Sequence, residues 1–174
     1  QKFEKVLKQA REGKSEHFLI LGGFGIGKTT LLKEFRNIAQ AQGILTSFVS
    51  ISGYREGDTV SSGITDLITQ IPRGLPTPIT RLKSYLKHID SFGIQMFGAG
   101  VSYSRKVNIA PQVLLLDTLL NLWEDLKDDS PALLILLDDI QNFNAISEIL
   151  INLRNVLIDS ELINKTHILV GVAC

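Results

Sequence analysis

The sequence has little of several things: one cysteine, one tryptophan, one methionine and five prolines in 174 residues. A lone Cys174 excludes a disulfide within the chain and argues against a cysteine-based zinc site. An excess of one charge is also lacking, since 18 basic and 18 acidic side chains sum to zero. That balance argues against a dominant electrostatic grip on nucleic acid or on an anionic membrane. Long hydrophobic runs are missing as well. The longest, Ala132 to Leu137, is strand-sized and far short of the ~20 residues that span a bilayer. The charged opening Gln1-Lys2-Phe3-Glu4-Lys5 is not a secretory leader. The three histidines, His17, His88 and His167, are scattered without metal-ligand spacing. A cytoplasmic domain with no membrane partner is the expectation. The chain begins without Met and stops inside the apolar run Val172-Ala173-Cys174, so a fragment of a longer protein is expected.

What is present is an apolar core in an ordinary setting. Hydrophobic residues make up 44% and charged residues 21% of the chain, as in a single globular domain over 1–174. Phe3, Val6, Leu7 and Ala10 recur at helical spacing over Lys2 to Arg11. A strand is expected from His17 to Leu21, then a helix from Gly27 to Gln42 closed by Gly43. Ile44 to Ile51 reads as a second strand, and Asp58 or Thr59 as the cap of a helix from Val60 to Ile71. Pro72, Gly74, Pro76 and Pro78 force a loop. Helical patterns follow at Ile79 to Phe92, Pro111 to Asp128 and Asn144 to Asp159. Two further strands are expected at Ala132 to Leu137 and His167 to Ala173. Ile94 to Ser104, broken by Gly98-Ala99-Gly100, reads as a hairpin or loop. Apolar strands separated by helices predict an α/β fold with a parallel sheet buried on both faces.

The sharpest motif is Gly22-Gly23-Phe24-Gly25-Ile26-Gly27-Lys28-Thr29. It fits the phosphate-loop pattern of Gly, four free positions, Gly, Lys, then Ser or Thr. Typical residue usage produces that pattern at about 4 in 100,000 starting positions. The glycines let the backbone curl so that successive N–H groups surround phosphates, and the following helix adds its positive end. Lys28 would reach the terminal phosphates, the Thr29 hydroxyl would ligate Mg²⁺, and Thr30 continues the nucleotide-binding run. The second motif is the apolar strand Leu133-Leu134-Ile135-Leu136-Leu137 ending in Asp138-Asp139. It delivers carboxylates to the edge of the sheet where ligands of open α/β folds bind. Asp138 is the candidate second metal ligand and Asp139 the candidate base that orients the attacking water.

These two motifs, with Asp138-Asp139-Ile140-Gln141, resemble the AAA+/STAND side of the P-loop NTPases. The resemblance is to ATPase domains related to replication initiators and to signal-transduction ATPases. It implies a three-layer α/β/α fold with strand order 5-1-4-3-2. The fifth strand, the helical lid, the sensors and the arginine finger would all lie beyond residue 174. Many such enzymes carry Asp-Glu where this chain has Asp138-Asp139. Gln141 matches a polar position that often follows the acids, and is read equally well as a residue without chemistry. Arg154 is expected to be a surface residue and not the finger. The 72–110 region looks like an insertion. Asn164-Lys165-Thr166-His167 lacks the Asp of a guanine-recognition element, so ATP is the expected nucleotide.

The functional expectation is slow hydrolysis of ATP with Mg²⁺, coupled to a conformational switch in a larger regulatory protein. The alternatives are an initiator-like ATPase that binds DNA through an absent module, and a ring-forming remodeller. Expected partners are ATP and ADP, other protein domains or further copies of the chain. The basic residues Arg73, Arg81, Lys83, Lys87, Arg105 and Lys106, near Tyr103, lack a repeated basic-aromatic pattern and read as solvated faces.

Overall fold

Short apolar runs bury themselves best as central strands, and the amphipathic segments between them supply the cover. A computed structural model describes residues 2–51, 59–77, 81–91, 94–97, 100–103 and 110–174. In chain order these form α1 (Lys2–Arg11), β1 (Phe18–Ile20), α2 (Lys28–Ala41), β2 (Leu45–Ser50), α3 (Val60–Arg73) and α4 (Lys83–Ser91). The hairpin strands β3 (Ile94–Phe97) and β4 (Gly100–Tyr103) come next, followed by α5 (Pro111–Leu126) and β5 (Leu133–Asp138). A single 3₁₀ turn, Ile140–Asn142, leads to α6 (Ile146–Leu157), α7 (Ser160–Lys165) and β6 (Ile168–Ala173). No helix among the described residues is long and apolar enough to cross a membrane.

The main sheet has four strands in the order β1-β6-β5-β2, all parallel. Leu133, Ile135 and Leu137 face α3, α5 and α6, where Ile64, Leu67, Leu115, Leu119 and Trp123 complete the larger core. Leu134 and Leu136 face the other way, onto Leu7 and Ala10 of α1 and Leu32 and Ala39 of α2. On that side Phe3 stacks on Phe35 at 3.9 Å between ring centroids, and Phe18 meets both rings edge-on. Trp123 lies 7% exposed, with its ring centroid 5.3 Å from that of His167. The sheet is therefore covered on both faces, as the near-continuous apolar runs of β5 and β6 require.

Local signals explain most boundaries. Thr59 caps α3: its hydroxyl accepts from Ser62 N–H at 3.2 Å, and Ser62 Oγ accepts from Thr59 N–H at 2.9 Å. Pro111 occupies the first turn of α5, where a missing N–H does no harm. The 72–110 region contains α4 and the antiparallel pair β3–β4, with Ile94 opposite Tyr103 and Phe97 opposite Gly100. Asp58, Pro78, Ile79, Phe92, the Gly98-Ala99 step, Ser104, Arg105 and Lys106 lie outside the described residues.

Three expectations need correction. The helix expected to stop at Ile71 runs on to Arg73 with Pro72 inside its last turn. Proline there removes the N–H that would bond Ile68 O, and the buried Tyr85 hydroxyl donates to that carbonyl instead. The helix expected from Asn144 to Asp159 is shorter at both ends. It starts at Ile146, after the 3₁₀ turn has used the preceding residues, and ends at Leu157. Asp159 then caps the short α7, accepting from Glu161 N–H at 2.8 Å. The third expected strand is shifted by one residue and includes Asp138.

Candidate functional site

The first strand hands the chain directly to the glycine-rich loop. Cys174 N–H donates to Ile20 O at 3.1 Å and Gly22 N–H donates to Cys174 O at 3.3 Å, extending the β1–β6 ladder to the loop's first residue. Gly25 and Gly27 have φ of +78° and +92°, a region that side-chain-bearing residues avoid. Gly27 is the N-cap of α2 and uses no side chain to cap it. The first N–H groups of that helix remain open to a ligand.

Lys28 lies across the loop it terminates. Its Nζ donates to Gly22 O at 2.7 Å and to Gly23 O at 2.9 Å. An ammonium has three donors, so two hold the loop closed and one remains for an anion. The positive charge is thus fixed at the loop's centre by the loop's own carbonyls.

A cleft of about 710 Å³ opens beside the loop. The loop contributes Gly22, Phe24, Gly25, Gly27, Lys28 and Thr29 to its lining. From the end of β5 and the turn after it come Asp139, Gln141 and Asn142, and from the end of β6 comes Cys174. The parallel sheet thus brings to one edge residues more than a hundred positions apart. Gly23 and Ile26 of the loop and Thr30 of α2 are not among the lining residues. Neither is Asp138.

Asp138 is 1% exposed. Its Oδ1 accepts from Asp139 N–H at 3.1 Å. Its Oδ2 is enclosed with no hydrogen-bond partner among the described residues. A buried carboxylate oxygen without a partner is a rare and costly arrangement. Asp139 is half-buried and left-handed, at φ 55° and ψ 33°. Its Oδ1 accepts from Gln141 Nε2 at 3.1 Å. Asn142 ties this turn to the exit of β2 by donating from Nδ2 to Ile51 O at 2.6 Å.

Asn142 was not legible as a cleft residue, and Gln141 was only half so. Both lie within four residues of the acids, which is the one sequence signal that would have found them. Among the described residues no group of three or more His, Cys, Asp or Glu side chains gathers. Arg154 is exposed on α6 and borders a separate, largely apolar groove with Phe18, Leu150 and Leu157. His17 is structural: its Nδ1 accepts from Val170 N–H at 3.1 Å and its ring also bonds the Leu157 backbone. The chain matches no protein-family model, and no curated protein is significantly similar to it.

Proposed function

We propose that this chain is a P-loop nucleotide-binding domain that binds ATP with Mg²⁺ and hydrolyses it slowly, serving as a switch within a larger regulatory assembly. One observation carries the reading. Lys28 is pinned on Gly22 O and Gly23 O at the head of a helix, in a cleft that also holds Thr29 and Asp139. That is the environment a triphosphate requires: open N–H groups, one fixed cation, a hydroxyl and a carboxylate. Strand order supports it further. Numbering the sheet strands alone along the chain, β1-β6-β5-β2 becomes 1-4-3-2, the order the resemblance implies without a fifth strand.

The residues fit a magnesium ion. Mg²⁺ favours one or two protein oxygens together with phosphate oxygens and water. The Thr29 hydroxyl would hold it directly, and the orphaned Oδ2 of Asp138, which is not in the cleft lining, would hold it through the ion's waters. When bound, it would neutralise charge on the β- and γ-phosphates. The chain's own part is to cradle the phosphates on loop N–H groups, to place the Lys28 charge against them and to orient water through Asp139.

Titration calorimetry with ATP and Mg²⁺ tests the reading. The parent chain should bind, and Lys28→Ala should lose at least about tenfold in affinity, the loss of a charge-assisted contact. An unchanged dissociation constant in Lys28→Ala would refute it.

A further inference from the structure

Asp139 is held under strain at the cleft. Among the described residues it is the only non-glycine with positive φ, a left-handed conformation that side-chain-bearing residues adopt rarely. The turn beside it is anchored: Asn142 N–H donates to Asp139 O at 3.0 Å, and the Asn142 side chain reaches Ile51 O. On this fixed backbone the exposed Gln141 donates from Nε2 to Asp139 Oδ1. An exposed side-chain pair of this kind contributes little to folding stability. Both residues nevertheless line the cleft with Lys28 and Thr29.

We propose that Gln141 is a positioning residue for the hydrolytic step: it clamps Oδ1 of Asp139, so that Oδ2 alone is left to receive the attacking water. The proposal rests on the ATP reading above. In the step, the water oxygen forms a bond to the γ-phosphorus while one water proton passes to Oδ2 of Asp139. The bond from the γ-phosphorus to the bridging oxygen breaks, and its electron pair leaves with ADP. The left-handed backbone turns Asp139 out of the strand direction, and Gln141 removes the remaining freedom of the carboxylate. Misplacing a reacting group by a fraction of a side-chain rotation loses about ten- to a hundredfold in rate.

The experiment measures single-turnover hydrolysis and ATP·Mg²⁺ affinity in the parent chain, Gln141→Leu, Asp139→Ala and the double variant. Gln141→Leu removes the donor and leaves a shorter apolar side chain of roughly similar volume. Its rate should fall about tenfold or more with the dissociation constant within about twofold. The double variant should be no slower than Asp139→Ala alone, because Gln141 acts only through Asp139. Three results overturn the proposal alone: an unchanged rate in Gln141→Leu, losses that multiply in the double variant, or a weakened affinity that accounts for the slower rate. A parent chain that binds ATP·Mg²⁺ without hydrolysing it removes the hydrolytic role of both residues. A parent chain that binds no nucleotide removes the ATP reading and this proposal together.

Discussion

Asp138 pairs with Ser50 at the last rung of the β2–β5 ladder, and its carboxylate is enclosed there with one oxygen satisfied and the other not. Such a group lowers the stability of the chain, a cost of the kind found at functional positions. Asp138→Asn keeps an oxygen for the Asp139 N–H and replaces an unpaired charge with a less costly neutral amide. The variant should therefore be more stable than the parent by about 1 kcal/mol in denaturant melts. On the proposed ATP reading it should also lose the added stability that Mg²⁺ would give in the presence of ATP. A less stable Asp138→Asn would show that the carboxylate is paired in solution. At this scale the sequence was informative about residue type and silent about orientation. The Gly22 to Thr29 spacing pointed to the loop, and of the two acids after Leu137, Asp139 lines the opposite wall of the cleft while Asp138 does not. The burial of Asp138, the left-handed turn at Asp139 and the Gln141 contact depend on backbone angles that no spacing encodes.

The elements themselves were mostly legible, because helical and strand periodicities are local. Two boundaries, the end of α3 and the start of α4, are set by a partner distant in sequence. Pro72 reads as a helix breaker, yet α3 continues through it because Tyr85, from α4, takes up the freed Ile68 carbonyl. Asp125 of α5 similarly accepts from Ser84 N–H at 3.2 Å and Tyr85 N–H at 2.8 Å, capping α4 from another helix. Neither contact has a local signature. Helix α7, at six residues, is too short to show a period, and Asp159 as its cap was the available clue. Burial holds the Tyr85 hydroxyl well above its ordinary pKa, so it stays a donor over the whole working range. Tyr85→Phe would leave Ile68 O buried and unsatisfied, costing about 1–3 kcal/mol. Thermal melts should register that loss, with faster amide exchange confined first to the last turn of α3. A melt indistinguishable from the parent would mean that water serves Ile68 O equally well.

For the molecule as a whole, the alternation of strands and helices predicted a parallel sheet covered on both faces, and the four-stranded sheet has that form. The stability of the whole also depends on pH through two histidines. Burial lowers the pKa of both His17 and His88 below the ordinary 6.5. The unfolded chain, with histidines near 6.5, therefore binds more protons than the folded one in the window just below that value. Stability then rises with pH across the window and is lost as pH falls through it. For His17 the reason is visible: a proton on Nδ1 would expel the Val170 N–H bond. Denaturant midpoints should drop steadily from pH 7 towards pH 5, and His17→Gln should flatten part of that slope. A midpoint constant over the interval would contradict the burial of both rings.

The only tryptophan is also a built-in optical reporter, and its position decides what it can report. Trp123 belongs to the larger core with α3 and α6, whereas α1 is held by the smaller layer around Leu7, Ala10 and the three phenylalanine rings. Peeling of α1 in mild denaturant would therefore leave indole emission at its native wavelength while far-ultraviolet ellipticity had already begun to fall.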